Sequence, residues 1–131
     1  MKPGGNERTG MARILLIDDE APLRRMAAEF LKRSGHEVVT AADGCAGLQL
    51  VTEQTYDLII TDLFMPNKEG IETIKELRRS VPGVPVIAIS GGGLFSANDN
   101  LNVARLLGAK ATLAKPFSGL QLVEAVKAAL V

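Results

Sequence analysis

Several short aliphatic runs in this chain stop at polar residues, and the chemistry differs from one stop to the next. Residues 13–17 run into Asp18 and Asp19, residues 58–61 into Asp62, residues 84–89 into Ser90, and residues 109–113 lead, past Ala114, to Lys115. If the first and third runs are neighbouring strands, three carboxylates converge, repel one another and raise the pKa values of the cluster. A cation belongs there. Oxygen donors with no His or Cys nearby favour a hard ion, and Mg²⁺ takes one or two carboxylates, keeps water and recruits phosphate oxygens. Lys115 adds a compact charge suited to a phosphate and Ser90 a hydroxyl, while a carboxylate can take a phosphoryl group as a mixed anhydride. Asp62 is the candidate acceptor.

Each residue also has a plain structural reading. Asp18, Asp19 and Glu20 before Pro22 favour a helix N-terminus, and an Asp at a strand end is a common turn former. Ser90 with Gly91, Gly92 and Gly93 reads as a loop, because no Gly-Lys-Ser or Gly-Lys-Thr follows as a nucleotide loop requires. Lys115-Pro116 and His36 after Ser34-Gly35 read as turns, and the lone Cys45 as a small helix residue. For the site residues these bland roles must all hold at successive strand ends of one sheet, so the constellation carries the inference.

The elements that position these residues follow from periodicity. Runs at 13–17, 37–41, 58–61, 84–89 and 109–113 read as strands, and their continuous aliphatic character means burial on both faces. Between them Leu23, Met26, Ala27, Phe30 and Leu31 keep helical spacing after Pro22, as do Ile71, Ile74 and Leu77 before Val81-Pro82-Gly83. Weaker helical signals cover residues 45–54 and 98–107. The last helix has capping-box spacing at Ser118 and Gln121, with Leu120, Val123, Val126 and Leu130 expected down its buried side. Five strand-helix repeats with right-handed crossovers give an α/β, doubly wound parallel sheet, which binds ligands at its strands' carboxyl ends. Strand two, ending in Ala42, Asp43 and Gly44, is expected at the sheet's edge. Residues 1–11, rich in Gly and charge, are expected to form a flexible tail ahead of one domain at 12–131.

Composition narrows the function classes. A length of 131 residues accommodates about one domain. Hydrophobic residues make up 47% and aromatic ones only 4%, with no Trp, so the core is aliphatic and no stacking platform for bases is evident. Fifteen Lys and Arg balance fifteen Asp and Glu, which removes the long-range pull of a nucleic-acid backbone or an anionic membrane. One Cys allows no internal disulfide, and residues 1–17 do not have the pattern of a secretory signal, so a cytoplasmic location is expected. The longest apolar runs fall far below the roughly 20 residues of a membrane-spanning helix.

The segments Ile17-Asp18-Asp19, Thr61-Asp62-Leu63-Phe64-Met65-Pro66, Ser90 and Lys115-Pro116-Phe117 resemble the receiver domain of two-component response regulators, over residues 12–131. The resemblance is to stand-alone receivers of the chemotaxis type, which lack an output domain. The resemblance implies a flavodoxin-like receiver fold with five helices and strand order 2-1-3-4-5. It implies that Asp62 accepts a phosphoryl group from a phosphohistidine on a sensor histidine kinase or a histidine phosphotransfer protein. Asp19 would ligate Mg²⁺ (or Mn²⁺) directly and Asp18 mainly through a metal-bound water. Asp62 would give one oxygen, and the backbone carbonyl of Phe64 would complete the protein's share. Lys115 and Ser90 would hold phosphoryl oxygens.

Such a module is not a conventional enzyme, although it promotes its own phosphorylation and dephosphorylation. In the family the Ser or Thr moves inward on phosphorylation, and an aromatic residue three positions before the Lys follows it. That motion reshapes the face formed by the fourth helix, fifth strand and fifth helix for a downstream protein target. Here that position is Thr112, a departure that puts the usual readout in question. Phe64 and Gly92, two residues beyond Asp62 and Ser90, occupy positions that in the family tune access of the hydrolytic water. The rival from another class is a phosphorylation-independent interaction module on the same scaffold, which Thr112 leaves open and intact Asp62 and Lys115 oppose. An Asp-nucleophile phosphatase would want an Asp-x-Asp pattern at strand one, which Asp18-Asp19-Glu20 lacks, and a flavodoxin would want hydroxyl-rich phosphate turns.

Overall fold

Ile14-Leu15-Leu16-Ile17 and Leu58-Ile59-Ile60 place aliphatic side chains at successive positions, and a strand built from them has apolar surface on both faces. Such strands need a helix layer on each side. The computed structural model, which describes residues 11–63, 69–91, 102 and 105–131, shows that arrangement. Its elements are β1 (Arg13–Ile17), α1 (Ala21–Arg33), β2 (Glu37–Ala41), α2 (Gly44–Glu53), β3 (Leu58–Asp62), α3 (Glu69–Ser80), β4 (Val86–Ser90), β5 (Ala111–Ala114) and α4 (Gly119–Leu130). All strand pairs are parallel in the order β2-β1-β3-β4-β5, with β2 at an edge as expected.

Alternation along the strands divides the core into two layers. Ile14, Leu16, Leu58, Ile60, Ile87 and Ile89 pack with Ala27, Leu31, Leu122 and Val126 of α1 and α4. Leu15, Ile17, Ile59, Val86 and Ala88 pack with Ile74 and Leu77 of α3 and the partly buried Leu48 and Val51 of α2. With α1 and α4 over one face and α2 and α3 over the other, both layers share one sheet, whose carboxyl edge is where such folds bind ligands.

The structure revises several expected boundaries. β3 and β4 run one residue further than the apolar runs do, because Asp62 pairs with Ile89 and Ser90 with Ala114 in the ladder. β4 starts at Val86 instead of 84, since the Val84 N–H donates to the Val81 carbonyl in a turn. β5 begins at Ala111 instead of 109. Four helices are found among the described residues against the five expected. The helix expected at 98–107 lies mostly outside the described residues, with Asn102, Arg105 and Leu106 helical. The expected tail likewise lies outside them, apart from Met11.

Local signals at the helix ends are realised in hydrogen bonds. At α4, Ser118 Oγ accepts from the Gln121 N–H at 3.0 Å and the Ser118 N–H donates to Gln121 Oε1 at 2.8 Å, both halves of a capping box. Asp43 caps α2 by accepting from the Ala46 N–H. α1 ends with Gly35 at φ 97°, where its N–H donates to the Lys32 carbonyl and that of His36 to the Leu31 carbonyl. The expected apolar stripe of the last helix needs correction. Gly119, Leu122, Val126 and Ala129 are buried, whereas Leu120 is 70% exposed and Val123 and Leu130 are half-buried.

Candidate functional site

Parallel register decides which side chains meet. β1 and β3 are adjacent, with Ile17 opposite Thr61, so the residues that follow them, Asp18 and Asp62, emerge side by side at the carboxyl edge. β4 and β5 bring Ser90 opposite Ala114, and Lys115 comes next. The backbone ladder continues into the site. Asp18 N–H donates to the Ala41 carbonyl at 3.1 Å, Leu63 N–H to Ile89 at 2.7 Å, and Lys115 N–H to Ser90 at 2.7 Å. These bonds fix the backbone on which the polar side chains stand.

Asp18, Asp62 and Ser90 are each at most 2% exposed, unusual burial for such groups, while Asp19 is exposed. Asp18, Asp19 and Asp62 can each contribute one carboxylate oxygen to a set lying within 4.8 Å of one another. Lys115 Nζ donates to Asp62 Oδ2 at 2.8 Å and to Glu20 Oε1 at 2.9 Å, and lies 3.6 Å from Asp18 Oδ2. Asp18 Oδ1 accepts from the Glu20 N–H at 2.8 Å. Asp18 Oδ2 and Ser90 Oγ are buried and have no hydrogen-bond partner among the described residues.

Charge and burial oppose each other here. Burial raises the Asp18 pKa above the usual carboxylate value. The Glu20 N–H counteracts it, the Asp62 charge adds to the rise, Lys115 lowers it and the Glu20 charge raises it. For Lys115, burial pulls the ammonium down. The hydrogen bonds to Asp62 and Glu20, with the charges of Asp62 and Asp18, outweigh that and raise its pKa. Lys115 therefore stays cationic and is the described counter-charge inside the pocket.

The donor set fits a divalent cation. It consists of carboxylate oxygens, and Asp18 Oδ2, buried and without a hydrogen bond among the described residues, has only the shared Lys115 ammonium at 3.6 Å to offset its charge, a deficit a cation relieves. The Ser90 hydroxyl, buried at the end of β4 and without a hydrogen-bond partner among the described residues, offers a donor to an anion bound at this edge of the sheet.

Of the residues singled out from the sequence, Asp18, Asp19, Asp62, Ser90 and Lys115 come together at one edge. Phe64 and Gly92 lie outside the described residues. Thr112 is half-buried and paired with Ala88, and strand alternation puts it on the same sheet face as Ser90. His36 accepts from the Ala12 N–H at Nδ1, 3.1 Å, at the opposite end of β1, and Cys45 is exposed on α2. Neither belongs to the site.

Three contacts around the site escaped the sequence reading, which saw Glu20 only as a helix-start residue and Gly91 only as part of a loop. Glu20 reaches Lys115, Arg24 donates from Nη1 to the Asp18 carbonyl at 2.6 Å, and Gly91 leaves room for the Lys115 stem, which a Cβ there would approach to 2.5 Å. A signal existed for Arg24. A cation in the first turn of a helix opposes the macrodipole, so it calls for another partner. Beside the pocket, Glu20, Leu23, Met26, Lys115, Pro116 and Phe117 line an open groove of about 580 Å³, so Leu23 and Met26 flank the site instead of the deep core.

Comparison with known proteins agrees with this geometry. The response regulator receiver domain profile matches residues 14–127, and the chain belongs to that family of two-component signalling modules. It is 38% identical over 121 residues to the transcriptional regulatory protein CpxR homolog of Haemophilus influenzae, covering 92% of this chain and 51% of that protein. It is 36% identical over 119 residues to the transcriptional regulatory protein PdtaR of Mycobacterium tuberculosis, covering 90% and 56%. The chain thus spans about half the length of these curated relatives. Among solved structures, a response regulator receiver domain protein from Clostridium thermocellum superposes with TM-score 0.82 at 34% identity, covering 91% of this chain and 94% of that one. The chemotaxis response regulator CheY4 of Vibrio cholerae gives TM-score 0.82 at 30% identity, covering 92% and 99%. The flavodoxin-like receiver fold and its acidic pocket are family features. No helix among the described residues is long and apolar enough to cross a membrane.

Proposed function

We propose that this domain is a phosphoacceptor switch in which Asp62 takes a phosphoryl group from a phosphohistidine on a sensor histidine kinase or histidine phosphotransfer protein. The observation that carries the reading is Lys115 Nζ at 2.8 Å from Asp62 Oδ2, beside a buried, unpartnered Ser90 hydroxyl and the carboxylates of Asp18 and Asp19. In the transfer the P–N bond breaks and its electron pair stays on the imidazole nitrogen, which takes up a proton. An Asp62 carboxylate oxygen forms the new P–O bond. Lys115 then donates to a phosphoryl oxygen and Ser90 to another, so the chain's contribution is positioning and charge neutralisation.

Asp18, Asp19 and Asp62, with the backbone carbonyl of Phe64, would hold Mg²⁺ or Mn²⁺, which when bound neutralises carboxylate and phosphoryl charge. Hydrolysis by water regenerates the Asp62 carboxylate and releases phosphate, with Phe64 and Gly92 as the residues that tune water access. Movement of the Ser90 hydroxyl toward the phosphoryl group starts the readout at the face that includes β5 and α4. Thr112 cannot fill the space as a ring would, so the signal to a downstream protein uses a rearrangement other than the family's aromatic movement. Balanced charge favours protein partners over nucleic acid or membrane, in a cytoplasmic setting.

Intact mass after incubation with Mg²⁺ and acetyl phosphate tests the reading. The wild type should gain one phosphoryl group, a gain abolished by prior chelation and absent in Asp62→Asn. No gain in the folded wild type, with a phosphohistidine donor also tried, would instead assign a phosphorylation-independent interaction module.

A further inference from the structure

Lys115 is shared by more carboxylates than it can neutralise. Asp62, Glu20 and Asp18 all face its ammonium, at 2.8, 2.9 and 3.6 Å, and Asp19 belongs to the same cluster. A divalent ion plus Lys115 balances Asp18, Asp19 and Asp62, which leaves Glu20 as the surplus negative charge. Glu20 has no capping duty to account for its position. It is the N-cap residue of α1 yet makes no side-chain cap hydrogen bond, and its side chain is 60% exposed at the edge of the groove.

We propose that Glu20 is a positioning and selectivity residue that slows charging of Asp62 by free anionic phosphodonors. Its carboxylate competes with incoming phosphoryl oxygens for Lys115 Nζ and repels a donor in proportion to that donor's negative charge. The inference rests on the reading of Asp62 as the acceptor. Because Glu20 is exposed, its effect is screened by salt, unlike that of the buried Asp18 and Asp62.

The test follows intact mass with time at saturating Mg²⁺ for wild type, Glu20→Gln and Glu20→Asp, with two donors. Dianionic acetyl phosphate should charge Glu20→Gln about threefold or more faster than wild type, on the scale of one unit charge acting through a solvated gap. Phosphoramidate, whose net charge is less negative, should show a smaller gain, and added KCl should shrink both. Glu20→Asp keeps the charge and should stay nearer the wild-type rate. Equal charging of wild type and Glu20→Gln, or a gain that is the same for both donors and insensitive to salt, overturns the inference while leaving Asp62 as acceptor. A wild type that takes up no mass from either donor overturns the reading of Asp62 and this inference with it.

Discussion

At the scale of single residues, buried charge sets the behaviour of the site. Asp18 is 1% exposed, and its pKa is raised first by that burial and then by Asp62. The folded state therefore holds its proton to higher pH than the unfolded chain does. Ionised Asp18 costs stability above its folded pKa, and that cost disappears as pH falls toward the ordinary carboxylate value. Asp18→Asn should accordingly raise the stability of the metal-free protein at pH 7, read from urea denaturation, and reduce the added stabilisation by Mg²⁺. His36 gives the opposite pH dependence. Burial lowers its pKa, and its Nδ1 accepts the Ala12 N–H, a bond that protonation removes. Above the ordinary His value neither state binds the proton. As pH drops through that value the unfolded chain binds it first, so stability falls until the folded pKa is passed. His36→Asn, whose Oδ1 can accept the same N–H without titrating, should lose less stability between pH 8 and 5. Equal losses in both proteins would remove His36 from this role.

At the scale of elements, the seating of α4 on α1 depends on a missing side chain. Gly119 opens α4 against the ring of Phe30, and a Cβ on it would overlap that ring. Gly119→Ala should cost about 1–3 kcal/mol in chemical denaturation, because a packed ring must move. The same contact explains why the buried stripe of α4 was hard to read. Aliphatic residues occur on both sides of this helix, Leu120, Val123 and Leu130 as well as Leu122, Val126 and Ala129, so periodicity allows two rotations about its axis. Packing against Phe30 selects the one with Gly119 inward. By contrast, the capping box at Ser118 and Gln121 was legible, because a cap is satisfied within one turn and needs no distant partner.

At the scale of the whole molecule, one sheet is shared by two core layers, so neither layer can lose its strands without the other. Ile59 and Ile60 are fully buried neighbours that enter opposite layers. Ile59→Ala and Ile60→Ala should each cost about 2–5 kcal/mol. Tyr56, the single tyrosine in a chain without Trp, belongs to the α2/α3 layer and reports on it by fluorescence. Its transition should coincide with that of far-ultraviolet circular dichroism in both variants. Separate midpoints would mean that the layers unfold independently.

Local sequence was enough to specify the parallel doubly wound sheet and its strand-end residues, because continuous aliphatic runs must be buried on both faces and polar groups mark where they stop. Asp18, Asp19, Asp62, Ser90 and Lys115 were legible for that local reason. Tertiary structure decided what those residues touch. The ion pair of Glu20 with Lys115 joins positions 95 residues apart, the Arg24 bond to the Asp18 carbonyl depends on how α1 leaves the sheet, and the close approach of Gly91 to Lys115 depends on β4–β5 register. No periodicity encodes such contacts. They arise where helices and strands that are each locally specified are brought together, and charge is balanced there across the whole pocket instead of along the chain.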